Sequence, residues 1–289
     1  MYRQYEPEVL KRLQREELEV LREFVRICNK YDIQYFAVFG TCIGAIRHKG
    51  FIPWDDDMDF GMLREEYERF CKVAPKEMGD RFGLAGPDCK EKFYNFVSKF
   101  YKKNTRFATY YDHGNYNMGI NLDIFVFDNL AEAEKDRNKQ IRRSGLIRSI
   151  YMVKNVNFYS NAVFKEGKGL KRLLCGAAHY LLKILPVTDE FLCRKWKKNA
   201  MRYHGKTDVV TQFNDTMILE SSLKLEDVND LIEVPFEDLM IKVPRNYDAI
   251  LRNVYGDYMQ LPPPEKRQNH FPYILEFSKE GENANGNGI

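Results

Sequence analysis

Four aspartates within five consecutive positions are the feature of this sequence most able to carry chemistry. They occupy the stretch WDDDMDF as Asp55, Asp56, Asp57 and Asp59. If the segment is extended, strand alternation sends Asp57 and Asp59 to the same face, about 7 Å apart along the backbone. Carboxylates this close repel one another unless a divalent cation binds between them, and hard oxygen ligands suit Mg²⁺ or Mn²⁺. The spacing predicts a metal site on Asp57 and Asp59, with Asp55 and Asp56 in a lesser, orienting role.

A fifth aspartate, Asp123, lies in the stretch MGINLDIFVFD at residues 118–128. The period of two in this stretch predicts a strand with Asn121, Asp123 and Phe125 on one face. A carboxylate in such apolar company is costly unless something pairs with it. Asp123 is therefore expected to join Asp57 and Asp59 as a third metal ligand.

Groups that could hold phosphate surround the acidic cluster in the sequence. Gly40 and Thr41 follow an apolar segment, where small residues could leave backbone amides open to a ligand. Arg47 and His48 precede the aspartates and could bind a diphosphate. The alternative is that they only balance the charge of neighbouring aspartates. Lys99 is a further phosphate candidate, although a lone lysine is by default a solvated surface residue.

Hydrophobic periodicity predicts the elements that must position these residues. Residues 6–30 have the pattern of an amphipathic helix, and a second helix is expected to end near Pro75. A hairpin and a helix that begins near Asn246 and ends at Gly256 are expected towards the C-terminus. The predicted strands are residues 33–39, 58–62, 93–103 and 118–128.

Composition limits the classes of function. The 289 residues are 44% hydrophobic and 14% aromatic, which is enough for a substantial core. The net charge is only +3, so no global field indicates a nucleic acid as the partner. Six scattered cysteines without a metal-binding spacing, and no secretory signal, favour reduced thiols and a cytoplasmic protein. No apolar run reaches the roughly 18 residues of a membrane-spanning helix.

The middle of the chain is locally basic. Residues 131–206 contain 18 Lys and Arg against 6 Asp and Glu, an excess of +12, so the remainder carries −9. Within it, residues 170–185 (LKRLLCGAAHYLLKIL) have the pattern of an amphipathic helix. One interpretation is a helix packed in the protein's own core. The others are docking of the region on an anionic membrane surface, or binding of an anionic acceptor.

Three blocks of the sequence together resemble the LicD family, the bacterial phosphocholine transferases related to the fukutin group. The blocks are FGTCIGAIRHKGFIPWDDDMDFGM, NLDIFVFD and VPRNYDAILRNVYGDYMQLPP. The resemblance implies an α+β fold, a nucleotidyltransferase-like mixed β-sheet flanked by helices with a mainly helical basic insertion. We expect a catalytic core at 1–130, the basic insertion at 131–206, completion of the core at 207–279 and a disordered tail at 280–289.

The family implies Mg²⁺-dependent transfer of phosphocholine from CDP-choline to a hydroxyl of a cell-surface glycan precursor, such as teichoic acid or lipopolysaccharide, with release of CMP. Asp57, Asp59 and Asp123 become the metal-binding and catalytic carboxylates. Gly40 and Thr41 stand where the nucleotidyltransferase superfamily has Gly-Gly or Gly-Ser. Thr41 is thus a mild departure that keeps a hydroxyl group near the phosphates. The expected substrate-binding residues are Gly40, Thr41, Arg47, His48, Trp54, Asp55, Lys99 and His270. The expected location is cytoplasmic, with a peripheral contact on the inner face of the membrane as one alternative.

The alcohol of the donor stays open at this stage. Trp54 and the tyrosines Tyr110, Tyr111 and Tyr116 could form an aromatic cage for a quaternary ammonium group, although a chain this rich in aromatics also forms clusters by chance. CDP-ribitol or CDP-glycerol is the alternative donor, because the shared motifs handle diphosphate and metal. A catalytically silent glycan-binding relative is a third interpretation, against which the intact set of carboxylates counts.

Overall fold

The computed structural model describes residues 4–109, 118–156, 169–214 and 216–278. Tyr110, Tyr111, Tyr116 and the predicted tail at 280–289 lie outside the described residues. The helices are α1 (Pro7–Lys30), α2 (Phe39–His48), α3 (Arg64–Glu77), α4 (Glu134–Asn155), α5 (Gly169–Ile184), α6 (Asp189–Ala200), α7 (Leu225–Asn229) and α8 (Tyr247–Tyr255). The strands are β1 (Phe36–Ala37), β2 (Asp59–Leu63), β3 (Phe82–Ala85), β4 (Ser98–Lys102), β5 (Arg106–Ala108), β6 (Asn121–Asn129), β7 (Val209–Gln212), β8 (Leu223–Lys224), β9 (Leu231–Phe236), β10 (Leu239–Pro244) and β11 (Ile274–Glu276).

A mixed sheet with the order β1-β2-β6-β4-β3 forms the centre of the fold, and β7 and β8 extend it. Its middle strand, β6, pairs in parallel with β2 on one side. On the other side β6 pairs antiparallel with β4 at its beginning and with β7 at its end. The predicted α+β class, a mixed sheet flanked by helices, is confirmed.

The two faces of β6 have different surroundings. Leu122, Ile124 and Val126 enter the largest buried cluster, beneath α1 and α3. Asp123 and Phe125 face the opposite side and line a pocket. The alternation predicted for this strand is confirmed, and it separates a hydrophobic core on one side of the sheet from a polar site on the other.

The helix α1 is built as its periodicity predicts. Pro7 stands in its first turn, where the missing amide donor costs nothing. The apolar residues that recur every three or four positions are buried, and Phe24 contacts the rings of Phe60 and Phe100 across the sheet. Burial of this stripe, rather than intrinsic propensity, stabilises the helix.

The strands expected at residues 33–39 and 93–103 are shorter than predicted. The second is limited to β4, Ser98–Lys102. The strand expected at residues 33–39 is reduced to β1, because Phe39 takes a left-handed backbone conformation (φ 49°) and α2 begins there. Gly40 and Thr41 therefore lie in the first turn of a helix instead of an open turn. Helix α3 ends near Pro75 as predicted, at Glu77. A proline this close to a helix end removes only one backbone hydrogen bond.

The basic region folds as helices α4, α5 and α6. Trp196 of α6 is fully buried and stacks on Phe96, which also stacks on Tyr151 of α4. Helix α5 is packed against the protein on one side only. Gly176 and His179 are buried, but most of its large apolar side chains are exposed. In the part of the chain that is described, no helix combines the length and hydrophobicity needed to cross a membrane.

The C-terminal part returns to the sheet. Strands β9 and β10 form the predicted hairpin, and α8 follows it and ends at Gly256 as predicted. Beyond α8 the chain runs back past the acidic cluster, and β11 then pairs with β5. Strand β7 places residues after the basic region within the same sheet as β6. The domain boundaries themselves stay a prediction.

Candidate active site

Strand register brings two aspartates and a lysine side by side. Asp59 at the start of β2 is the register partner of Asp123 on β6, and Lys99 on β4 is the partner of Asp123 on the other side. The ammonium group of Lys99 lies 2.5 Å from Asp123 Oδ1 and 3.0 Å from Asn121 Oδ1. The costly carboxylate in the apolar strand is thus paired, as the sequence required.

Asp57 reaches the same pocket by a different route from the one predicted. Strand β2 begins only at Asp59, so Asp57 lies in the preceding loop and strand alternation does not place the pair. Asp57 and Asp59 nevertheless both line a pocket of about 540 Å³, together with Asp123 and Lys99. The structure gathers the three predicted carboxylates on the wall of one pocket.

Thr41 and Gly40 support the acidic loop from behind and are not part of the pocket lining. The hydroxyl of Thr41 is buried and accepts a hydrogen bond from the amide of Asp59 at 2.8 Å. A Cβ at Gly40 would lie 2.8 Å from a carboxylate oxygen of Asp55, so a side chain there would displace that aspartate. Phe39, the first residue of α2, does line the pocket, and the first turn of that helix lies beside it.

Asp56 and His270 form a contact that sequence reasoning missed. Asp56 is buried and accepts hydrogen bonds from the Tyr5 hydroxyl at 2.6 Å and from the backbone amide of His270 at 2.7 Å. The His270 ring Nδ1 lies 3.0 Å from Asp57 Oδ2. These carboxylates hold the pKa of His270 well above its ordinary value, so the ring is a cation at neutral pH.

Glu17, on the apolar stripe of α1, is a further carboxylate that the sequence analysis did not select. It is 2% exposed, lines the pocket, and its Oε2 has no hydrogen-bond partner among the described residues. Burial and the nearby aspartates, Asp56 first among them, raise its pKa. A signal was present, because a glutamate midway between Leu13 and Leu21 interrupts an otherwise apolar helix face.

The carboxylates of the site outnumber its cations. Burial raises the pKa of Asp55, of Asp59 and of Asp123, and repulsion by neighbouring aspartates adds to the effect at each. Burial alone would also raise the pKa of Asp57, but hydrogen bonding to His270 lowers it. Lys99 and His270 are the cations that face these groups, and two positive charges leave the cluster with excess negative charge.

The residues present fit a divalent cation. The donors are hard carboxylate oxygens, and Glu17 Oε2 is a buried acceptor that a cation would satisfy. Among the described residues, a compact group of ligand atoms within 4.8 Å of one another is formed by Asp56, Asp57 and His270. Of the predicted metal ligands Asp57, Asp59 and Asp123, only Asp57 belongs to this group. The protonated His270 ring has no free nitrogen for a metal ion, whereas the aspartates on the strands suit both Mg²⁺ and Mn²⁺.

The predicted phosphate ligands Arg47 and His48 are not brought to the pocket. Arg47 donates from Nε to the His48 ring at 2.8 Å and from Nη1 to the Tyr258 carbonyl. Its contacts are thus with the C-terminal part of the chain, and neither Arg47 nor His48 forms an ion pair with the aspartates among the described residues. Their position fits a structural link better than a phosphate-binding role.

Trp54 already carries a cation on its ring. The guanidinium carbon of Arg267 lies 4.4 Å from the Trp54 ring centroid, and Trp54 does not line the pocket. Other aromatic side chains do so without having been predicted. They are Phe39, Tyr94, Phe107, Phe125 and Tyr255. Aromatic side chains from separate elements therefore form part of the pocket wall.

Comparisons with known proteins agree with this geometry. A model of the family described as LicD/FKTN/FKRP, nucleotidyltransferase domain, matches residues 32–164. Over 270 residues the chain is 30% identical to the lipopolysaccharide cholinephosphotransferase LicD of Haemophilus influenzae, covering 89% of this chain and 95% of that protein. An uncharacterized protein of Rickettsia typhi is 30% identical over 98 residues, which are 31% of this chain and 30% of that protein. The matched family segment contains all three predicted carboxylates.

Proposed function

The chain belongs to the LicD family, and on that premise we propose that it is a phosphotransferase that moves phosphocholine from CDP-choline to a hydroxyl group of a glycan, with release of CMP. The observation that carries the proposal is the similarity along 95% of a lipopolysaccharide cholinephosphotransferase. The acceptor we propose is a precursor of a cell-surface glycan, of the lipopolysaccharide or teichoic acid type.

We propose that Asp57 and Asp59 hold Mg²⁺ or Mn²⁺ with Asp123 as the third carboxylate. The bound cation would neutralise charge on the diphosphate and on the departing CMP. Lys99 lies beside Asp123, so a phosphate group placed there would also meet an ammonium group. Phe39, at the N-terminal end of α2, lines the same pocket, and helix N-termini favour anions.

Asp123 is proposed to act as the base. The acceptor hydroxyl oxygen forms a bond to the phosphorus of the phosphocholine group, the bond from phosphorus to the CMP oxygen breaks, and the hydroxyl proton passes to the Asp123 carboxylate. Burial raises the pKa of Asp123, which makes it a better proton acceptor than an exposed aspartate. Positioning and charge neutralisation are the main demands of phosphoryl transfer.

The choline group is proposed to contact the aromatic lining, which includes Tyr94, Phe107 and Tyr255. A quaternary ammonium group against an aromatic face is stabilised by roughly 0.5–2 kcal/mol per contact. The polyols ribitol and glycerol would gain nothing from such a surface. This lining favours CDP-choline over the polyol donors that the sequence left open.

A donor panel tests the proposal. The protein is incubated with a lipopolysaccharide-type glycan, Mg²⁺ and either CDP-choline, CDP-ethanolamine, CDP-ribitol or CDP-glycerol, and release of CMP is measured. We expect the fastest release with CDP-choline, its loss with a chelator, and its recovery when Mg²⁺ or Mn²⁺ is returned. Faster release from a polyol donor would replace the proposed donor, and chelator-resistant turnover would remove the metal from the proposal.

A further inference from the structure

Helix α5 has one face that packs and one that does not. On the packed side His179 is buried, and its ring Nδ1 lies 2.8 Å from the carbonyl oxygen of Val153 on α4. Cys175 packs against a small hydrophobic cluster to which Met152 and Val153 of α4 also belong. These contacts fix the rotation of α5 about its own axis, so the residues on its other side are held away from the protein.

The outward side of α5 is apolar. Six of the sixteen large hydrophobic side chains that the structure exposes fall within residues 173–185. Leu173, Leu174, Tyr180, Leu181 and Ile184 are exposed by 60%, 61%, 59%, 57% and 82%. With about 100° of rotation per residue, these five side chains fall within an arc of about 120°. Such a continuous apolar strip marks an interaction surface, whereas scattered exposed leucines would not.

The positive charge of this part of the chain indicates an anionic partner. Lys183 is exposed beside the apolar arc, and Arg194, Lys195 and Lys198 are exposed on the following helix α6. The surrounding residues 131–206 carry an excess of +12, whereas the rest of the chain carries −9. An apolar strip with an exposed lysine beside it, in a locally basic part of the chain, is complementary to a bilayer with anionic headgroups.

We propose that α5 lies in the interface of an anionic lipid bilayer, with Leu173, Leu181 and Ile184 inserted among the acyl chains and the surrounding lysines and arginines against the headgroups. A helix of sixteen residues is about 24 Å long, too short to span a bilayer but long enough to lie along one. The proposal concerns attachment only and does not depend on the transfer reaction.

Vesicle sedimentation of the full chain tests the proposal. Binding is measured on phosphatidylcholine vesicles with and without 30% phosphatidylglycerol, a mole fraction of about one third chosen to give a strong surface potential. We expect binding to the anionic vesicles, weakening as salt is added. The triple variant Leu173→Ser, Leu181→Ser, Ile184→Ser should lose more than tenfold in partition coefficient, and Lys183→Glu should weaken binding to anionic vesicles only.

The matched control is the pair Met240→Ser and Leu261→Ser, which are 49% and 50% exposed on other parts of the protein. It should bind vesicles like the unchanged chain. Circular dichroism verifies folding of each variant, and Leu181→Trp should shift its fluorescence to shorter wavelength on anionic vesicles. Unchanged vesicle binding of the triple variant would overturn the proposal. It would also be overturned if neither protein bound vesicles and the unchanged chain formed a dimer, in sedimentation equilibrium, that the triple variant did not form.

Discussion

Asp59 is the residue on which the geometry of the site converges. Its carboxylate stands beside Asp123 across the parallel strand pair, its amide donates to the Thr41 hydroxyl, and its carbonyl accepts from the Val38 amide. The backbone at this residue is held from both sides. Its carboxylate has a raised pKa, first because of burial and then because of Asp57 and Asp123. A cation at this point would relieve both effects.

Replacement of Asp59 by asparagine should therefore abolish transfer while leaving the fold intact. The change keeps the shape and removes one proposed metal ligand, and we expect CMP release to fall by a factor of about 100 or more, as when a group that stabilises transition-state charge is lost. The exposed Asp80→Asn is the matched control and should be fully active. Near-normal turnover of the Asp59→Asn protein would remove this residue from the mechanism.

Glu17→Gln tests whether the pocket needs a cation to offset its negative charge. The change removes a buried carboxylate that faces Asp56 and Asp57, so the metal-free protein should gain stability, by about 2–4 °C in melting temperature for each kcal/mol of relieved repulsion. Affinity for Mn²⁺, measured by calorimetric titration, should fall. The exposed Glu132→Gln is the control. A lower melting temperature with unchanged Mn²⁺ affinity would contradict this role.

The sequence locates some of these residues and not others, for physical reasons. The position of Asp123 could be predicted, because a two-residue period places it on the polar face of a strand without knowledge of any neighbouring strand. The contact between Asp56 and His270 joins positions 214 residues apart, and no local pattern encodes it. The contact of Trp54 with Arg267 was not predictable either, because Arg267 comes from the same distant segment.

At the scale of elements, the C-terminal ends of α1 and α3 are tied by one carboxylate. Glu77 accepts hydrogen bonds from Lys30 Nζ at 2.8 Å and from the Tyr31 hydroxyl at 2.6 Å, and Arg26 lies 3.3 Å away. Chiefly through Lys30, these contacts lower the pKa of Glu77 to about 2 from an ordinary value of 4.5.

This depressed pKa predicts a pH dependence. Because the folded state holds Glu77 ionised at pH values where the unfolded chain protonates it, its contribution is full above pH 4.5 and is lost as the pH falls towards 2. Glu77→Gln should reduce the free energy of unfolding in urea at pH 7 but not at pH 2. Glu132→Gln serves as the control. An equal loss at both pH values would show that the ion pairs contribute nothing.

Most elements follow from their hydrophobic pattern, and the exceptions follow from tertiary packing. The hydrophobic periods of α1, β6 and the C-terminal hairpin are long, so their positions were predictable. The early start of α2 was not, since a phenylalanine with positive φ is strained and carries no sequence signal. Packing of the Phe39 ring against Phe125, 5.2 Å between centroids, helps to hold that conformation.

The whole molecule separates its charges in space. The pocket on the sheet concentrates carboxylates, whereas residues 131–206, which include α4 to α6, have an excess of +12 and an exposed apolar strip. Composition alone predicted this excess of positive charge, but not the strip, because sequence periodicity cannot say which face of α5 lacks a partner. The proposed catalytic pocket and the proposed attachment surface lie on different parts of one chain, which would suit an acceptor held at a membrane.

The central claim, transfer of phosphocholine, is tested most directly by the balance of products in a single reaction. The protein is incubated with Mg²⁺, a lipopolysaccharide-type glycan and CDP-choline labelled in the choline methyl groups, and label in the glycan and free CMP are measured together. The account predicts one labelled phosphocholine on the glycan for each CMP released, and neither product with the Asp59→Asn protein. Release of CMP without label in the glycan, or label in the glycan at equal yield from the Asp59→Asn protein, would contradict it.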